Sequence, residues 1–366
     1  MADVGPAGVQ QGCCMPKLVG KIAILFGGPG PEHEVSLGSA GSVLAELEGL
    51  GWDVLAVGIS KDGSWFVGPG AHGELIARAD PQRLPLRAGS AAVSGPAETE
   101  VFTAPPPRGV FDGYDVVLPL CHGQWGEDGT LQGLLAAYGL AVIGCGVAAS
   151  AVCFDKQLTK AVLRSAGLPV AAGLAVSKAD PRVPAQGLGA GPWFVKPARS
   201  GSSFGVTEVP AADGLPAAID EALRWDDTAL IEEFVPHREF LVGVVGHGPE
   251  LTVSQPLECI QEGMVLGYEE KYLKGRLRFE TPAGVGPEVI EQARRLAGQA
   301  YRALGCDIFA RVDLFLDLRD GSLLVNEVNT VPGMTAQSAF AQLMGTAGLP
   351  FPALLENLYQ LTEENR

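Results

Sequence analysis

Basic residues are scarce in this chain. Lys and Arg number 26 against 42 Asp and Glu, a formal net charge of −16 over 366 residues. Nucleic acid and anionic membrane both reward a basic face, so neither is an expected partner. A nucleotide stays open, because its phosphates need only a local cluster of Lys, Arg and metal. Metal-finger spacing is also missing: Cys13, Cys14, Cys121, Cys145, Cys153, Cys259 and Cys306 contain no C-x-x-C pair. Seven scattered cysteines fit buried, reduced thiols in a cytoplasmic protein. The five histidines form neither a His-rich metal site nor a Ser-His-Asp order. Residues 1–20 lack the apolar core of a secretory signal; the Gly-rich leader, 1–19, is expected to be disordered, with Met15 an alternative start. A charge-free run of 22 residues, Gly133 to Phe154, is interrupted by Gly139, Gly144 and Gly146. It reads as helix, turn, short strand and turn rather than as a membrane span.

What is present is a globular composition, 47% hydrophobic and 19% charged, long enough for two or three domains. The expected class is α/β. Lys21-Ile22-Ala23-Ile24-Leu25-Phe26 reads as a buried strand, followed by a Gly-Pro turn and a helix with Ala40, Val43, Leu44, Leu47 and Leu50 on one stripe. Val54 to Ile59 is the next strand, so the chain opens with a parallel βαβ unit. Gly28-Pro29-Gly30-Pro31-Glu32-His33 lacks the third glycine of a dinucleotide fingerprint. Glu32 and Glu34 beside that loop favour a cationic group over a phosphate. Residues 68–110, rich in Gly, Pro and Ala, read as a surface excursion. The strand Asp115 to Leu120 delivers Cys121-His122-Gly123 to its C-terminal end, where α/β sheets hold ligands. The expected units are 20–144, 145–231 and 232–366.

Two runs near the C-terminus alternate apolar and polar residues as half-buried strands do: Ala310-Arg311-Val312-Asp313-Leu314-Phe315 and Val325-Asn326-Glu327-Val328-Asn329. Arg319-Asp320-Gly321-Ser322 between them reads as a hairpin turn. Three oxygen ligands, Asp313, Glu327 and Asn329, beside one fixed cation, Arg311, suit Mg²⁺ and a phosphate chain. A strict two-residue Asp320-Gly321 loop would pair Asp313 with Val328 and turn Glu327 to the wrong face. An odd loop or a bulge is therefore required if the ligands are to act together. The same alternation also describes an ordinary hairpin with a solvated polar face.

Other constellations carry two readings each. Lys196 followed by Ser200-Gly201-Ser202-Ser203-Phe204-Gly205 suits a phosphate cradle, yet also a plain hairpin turn; it is not a Walker A loop. Glu232 and Glu239 flank Phe234-Val235-Pro236 and could hold a base and ribose, or be solvated charges. Tyr268 to Lys274 suits a lid as well as an exposed loop.

Taken together these pieces resemble the ATP-grasp enzymes, and within them the D-alanine–D-alanine ligase family, over roughly residues 20–360. The resemblance rests on Leu25-Phe26-Gly27-Gly28 with Glu32-His33-Glu34-Val35-Ser36, and on His122-Gly123 with Gly126-Glu127-Asp128-Gly129. It continues through Asp155-Lys156, Phe194-Val195-Lys196-Pro197 with Gly201-Ser202-Ser203, and Glu270-Lys271-Tyr272. It ends with Ala310-Arg311-Val312-Asp313 and Asn326-Glu327-Val328-Asn329-Thr330-Val331-Pro332-Gly333-Met334-Thr335.

This resemblance implies a three-domain ATP-grasp fold with ATP between the central and C-terminal domains. Lys156 and Lys196 would meet its phosphates, Glu232 the adenine and Glu239 the ribose, with Ser203, Glu233, Val235 and Lys271 also at the nucleotide. Two Mg²⁺, or Mn²⁺, would be held by Asp313, Glu327 and Asn329. Glu34 would take the ammonium of the first D-alanine and join Ser202 and Tyr272 in closing a lid over about 262–280. Arg311 and the Gly333 N–H would stabilise charge on the substrate carboxyl. Lys271 and Ser338 would bind the second D-alanine, with His122 also in the substrate site. The implied protein is a cytoplasmic homodimer serving peptidoglycan synthesis. Two departures stand out: Val265-Leu266-Gly267-Tyr268, where the family often has an aromatic-Tyr-Asp-Tyr run, and Ala339, where a larger apolar residue is common. A D-alanine–D-lactate ligase is the nearest alternative, disfavoured by Tyr272. A non-catalytic nucleotide-binding module is more distant, since no metal ligand and no Arg311 is missing.

Overall fold

A computed structural model of the chain describes residues 20–80, 99–183, 188–189, 191–201, 204–260, 278–282 and 284–366. Strands β1 (Lys21–Gly27), β2 (Asp53–Ile59), β3 (Trp65–Val67), β4 (Glu100–Phe102), β5 (Val116–Pro119) and β6 (Ala141–Val142) form a sheet of order β4-β3-β2-β1-β5-β6. Helix α1 (His33–Leu50) joins β1 to β2, which pair in parallel, so the expected βαβ unit is present. The apolar stripe is why α1 docks. Leu37, Ala40, Val43, Leu44 and Leu47 are all at most 3% exposed, and each large side chain buried this way contributes about 1.5–3 kcal/mol. The Gly- and Pro-rich excursion also supplies α2 (Ala71–Arg78) and the antiparallel edge strand β4. β1 has parallel neighbours on both sides, β2 and β5. The chain therefore leaves the sheet in opposite directions beyond these two strands. That opens a crevice at their C-terminal ends, beside Gly28–Glu32 and Cys121–Gly129.

Helices α3 (Thr130–Ala137), α4 (Val147–Phe154) and α5 (Lys156–Ser165) follow. A second sheet, antiparallel, has the order β7-β10-β8-β9, from β7 (Gly173–Ser177), β8 (Trp193–Pro197), β9 (Thr207–Val209) and β10 (Thr228–Glu233). Helix α6 (Leu215–Ala222) covers it. The third sheet takes β11 (His237–His247), β12 (Glu250–Val253), β13 (Leu257–Ile260), β14 (Arg278–Glu280), β15 (Ile308–Asp317) and β16 (Leu323–Asn329). Its order is β14-β13-β11-β15-β16, with β12 also on β11. Helices α7 (Pro287–Ala303), α8 (Ala339–Thr346) and α9 (Phe351–Glu364) complete the described chain. Packing does not follow chain order everywhere. Cys153 and Leu163, on α4 and α5, share a core with Val242, Val244, Ala310 and Val312 of the third sheet. Leu354 and Leu358 of α9 return to Ile24, Val116 and Leu118 of the first.

The β15–β16 hairpin meets its register requirement by a bulge. Leu314 pairs with Val325 and Leu316 with Leu323, whereas Asp313 pairs with Glu327 and Arg311 with Asn329. Asn326 is the extra residue. Had the first register run straight on, Asp313 would face Asn326, and Glu327 would turn into the core beside Val325. The turn itself is even, four residues between Asp317 and Ser322, closed by Asp317 N–H donating to the Ser322 carbonyl at 2.8 Å.

Candidate active site

A cavity of about 990 Å³ opens where the crevice of the first sheet meets the bulged hairpin. Its floor is one face of the third sheet. Arg311, Asp313, Glu327 and Asn329 point into it, with Glu239 and Leu241 from the adjoining strand β11. The Arg311 guanidinium grips Asp313 with both arms, Nε to Oδ1 at 2.7 Å and Nη2 to Oδ2 at 2.6 Å. Asn329 Nδ2 donates to Asp313 Oδ2 at 3.0 Å. Asp313 is 1% exposed. Burial pushes its carboxyl up, Arg311 pulls it back, and the nearby Glu327 and Glu239 charges leave it at about 6.

This donor set fits a divalent cation of the hard class. Two carboxylates and an amide share a face, and a cation would relieve the repulsion that raises Asp313. Among the described residues no group of three His, Cys, Asp or Glu side chains is arranged to hold a metal by itself. The remaining ligands would come from phosphate and water, the usual manner of Mg²⁺.

The walls come from three other elements. Asp155 caps α5, accepting from the N–H groups of Gln157 and Leu158, and so fixes Lys156 at the cavity edge. There Lys156 Nζ donates to the Ser200 carbonyl at 2.5 Å and lies 3.9 Å from Glu327 Oε2. His122 is anchored through Nδ1, 2.9 Å from the Val331 carbonyl, which assigns the proton to Nδ1. Its Nε2 is then a bare acceptor, buried and without a hydrogen-bond partner, on a ring that lines the cavity. Burial lowers the His122 pKa, so the ring is neutral. Ser338 stands at the N-cap position of α8, its hydroxyl donating to the Thr335 carbonyl at 2.8 Å, and with Gly333 lines the far wall.

Glu34, expected at the first D-alanine, is not among the described residues lining this cavity. It lies in the first turn of α1, fully buried, with Oε1 2.5 Å from Lys61 Nζ and Oε2 without a hydrogen-bond partner among the described residues. The carboxylate that reaches the cavity is Glu32. Glu32 stands at the N-cap position before the first turn of α1, and Glu34 within that turn. The space around Glu32 is cut to fit. A Cβ added at Gly201 would lie 2.9 Å from Glu32 Oε2, and one at Gly123 2.8 Å from it. Glu127 also lines the cavity, accepting from the Gly123 N–H at 2.9 Å. Burial and the Glu32 charge push its carboxyl up to about 8.

Lys196, Glu232, Glu233 and Val235 are not among the described residues lining this cavity. Glu232 is clamped between Lys196 Nζ at 2.8 Å and Lys160 Nζ at 3.0 Å. Burial would raise its carboxyl, but the two lysines outweigh that and hold it at about 2. Lys160, one turn from Lys156 on α5, was not anticipated; its spacing of four residues was the available signal. Glu233 pairs with Arg319 at 2.5 Å. Val235 is buried, its carbonyl 2.6 Å from His237 Nδ1. Ser202, Ser203, Lys271, Tyr272 and most of the expected lid lie outside the described residues.

The three-sheet arrangement, with a cavity floored by an antiparallel sheet and edged by Lys156, is that of an ATP-grasp enzyme. Residues 21–145 match the family described as D-ala D-ala ligase N-terminus, and residues 162–360 match D-ala D-ala ligase C-terminus. The chain is 40% identical to D-alanine–D-alanine ligase A of Mesorhizobium japonicum over 358 residues, covering 93% of this chain and 96% of that one. It is 40% identical to the D-alanine–D-alanine ligase of Deinococcus radiodurans over 356 residues, covering 94% and 99%. Among solved structures, VanG D-Ala:D-Ser ligase from Enterococcus faecalis superposes with a TM-score of 0.74 at 30% identity, covering 94% of this chain and all of that one. D-alanyl-alanine synthetase A from Vibrio cholerae gives 0.75 at 29%, covering 94% and 99%. The chain belongs to the D-alanine–D-alanine ligase family, ATP-dependent carboxylate–amine ligases. No described helix is long and apolar enough to cross a membrane.

Proposed function

We propose that this protein joins two D-alanine molecules into D-alanyl-D-alanine for peptidoglycan synthesis, through an acyl phosphate, releasing ADP and phosphate. The observation that carries the reading is the bulge at Asn326, which sets Arg311, Asp313, Glu327 and Asn329 on one cavity face. A carboxylate acylates poorly, so ATP first activates it; the second amine then attacks and phosphate leaves. Positioning and charge stabilisation dominate such chemistry. Glu32, rather than Glu34, takes the ammonium of the first D-alanine, and His122 Nε2 accepts from a substrate N–H. Arg311 and the Gly333 N–H stabilise charge on the activated carboxyl. Ser338 and Lys271 hold the second carboxylate. Lys156 and Lys196 meet the phosphates, with Ser203, Glu232, Glu233, Val235, Glu239 and Lys271 at the nucleotide. Asp313, Glu327 and Asn329 would hold two Mg²⁺ or Mn²⁺, which supply positive charge to the phosphate oxygens. Ser202 and Tyr272 belong to the lid that excludes water from the intermediate.

The reading includes a cytoplasmic homodimer, supported by the family resemblance and, for the compartment, by free buried thiols at Cys121, Cys145 and Cys153. It divides the chain near residues 144 and 231, which the three separate sheets support. The deciding experiment is ADP release with D-alanine as the only amino acid, with the product identified by mass. Absence of D-alanine-dependent ADP release defeats the reading.

A further inference from the structure

Three thiols converge where the helix preceding Lys156 meets the strand carrying Arg311 and Asp313. Cys153 Sγ, near the end of α4, lies 3.7 Å from Cys306 Sγ, in the turn between α7 and β15. Cys145 Sγ also contacts the Cys306 thiol, but it is held in addition by the backbone, 3.5 Å from Asp307 N and 3.6 Å from the Asp307 and Phe309 carbonyls. Cys153 borders the active-site cavity, and Cys306 is partly exposed. The ligase chemistry uses neither thiol.

We propose that Cys153 and Cys306 form an oxidation site, at which peroxide entering through the cavity closes a disulfide between α4, just before Lys156, and the α7–β15 turn, just before the Arg311 strand. Cys153 sulfur attacks one peroxide oxygen; the O–O bond breaks, and sulfenic acid and water form. Cys306 sulfur then attacks Cys153 sulfur. The S–S bond forms, the S–OH bond breaks, and hydroxide leaves with the Cys306 proton as a second water. Two electrons pass from the thiol pair to peroxide. A disulfide spans about 2.05 Å, so the sulfurs close by roughly 1.7 Å, which side-chain rotation and a small helix shift supply. Lys156 lies three residues beyond Cys153 and Arg311 five beyond Cys306, so the closure displaces both from their working positions. Contact with Cys153 and burial outweigh the lowering effect of Cys145 and keep the Cys306 thiol protonated, so closure is slow.

The test treats the full-length reduced protein with hydrogen peroxide, alkylates free thiols, digests without reductant and maps cross-links by tandem mass spectrometry. Turnover is followed in parallel. The expected result is a Cys153–Cys306 cross-link, with a loss of turnover that dithiothreitol restores. Cys306→Ser should keep basal turnover and show no dithiothreitol-reversible loss. A cross-link to Cys145, over-oxidised Cys153 alone, three unmodified thiols, or a cross-link without loss of turnover would each overturn the proposal. The mass map is independent of the ligase reading and decides the cross-link even where Cys306→Ser fails to fold.

Discussion

Glu32 and Glu34 stand two residues apart with opposite surroundings, and paired substitutions should separate their roles. Glu32→Gln removes a cavity charge and leaves the core untouched. If Glu32 meets the ammonium of the first D-alanine, the lost charge-assisted hydrogen bond is worth about 1.5–3 kcal/mol. That corresponds to a roughly 10- to 150-fold fall in kcat/KM for D-alanine, with the melting temperature unchanged. Glu34→Gln leaves the cavity intact and weakens a pair whose carboxylate is fully buried but whose Lys61 side chain is 45% exposed. Solvent screening at Lys61 holds the cost to about 1–2 kcal/mol, a melting shift of a few degrees, with kcat/KM within about threefold of the parent. Burial alone would raise the Glu34 carboxyl, but the hydrogen bond and charge of Lys61, together with backbone N–H groups of Glu34 and Asp80, outweigh it and the pKa is lowered. The stability this group contributes is present above the unfolded-state value, about 4.3, and is lost as pH falls through the lower folded value. The gap between parent and Glu34→Gln should therefore close in acid. Steady-state kinetics and thermal melts at neutral and acid pH read all of this. A Glu34→Gln enzyme crippled at unchanged stability, beside a normal Glu32→Gln enzyme, would refute the assignment.

Three further outcomes follow from the same geometry. Arg311→Ala should cut turnover by about 10²–10³ with a modest change in KM for ATP; unchanged turnover would remove Arg311 from the chemistry. Asp313→Asn should abolish turnover yet stabilise the protein in EDTA at neutral pH. The folded Asp313 pKa is raised to about 6, so its charge opposes folding above that pH and the advantage of Asn shrinks as pH falls through it; denaturant melts at several pH values check the sign. Lys160→Met should destabilise by about 1–3 kcal/mol, since Glu232 keeps Lys196, and this shows in the denaturation midpoint. A neutral Lys160→Met would mean that the clamp contributes nothing.

The sequence by itself determined the elements and one geometric demand. Alternation in 310–315 and 325–329 gave two half-buried strands, and the period of two required odd parity between Asp313 and Glu327. The apolar stripe of α1 gave the βαβ opening, and the glycine-flanked His122 gave a ligand position at a strand end. These are local properties, fixed by spacing along a few residues. Tertiary structure decided what depends on partners far away in the chain. Parity was supplied by a bulge at Asn326, because the pairing of Leu314 with Val325 and Leu316 with Leu323 buries those side chains before the strand reaches Glu327. Of Glu32-His33-Glu34, Glu32 at the N-cap lines the cavity, while Glu34 in the first turn of α1 is buried against Lys61, a partner 27 residues on. Lys160 met Glu232 across 72 positions of sequence, and Cys153 met Cys306 across 153. Spacing rules reach one helical turn or one strand pair; pairings such as these exist only once the core has closed around them.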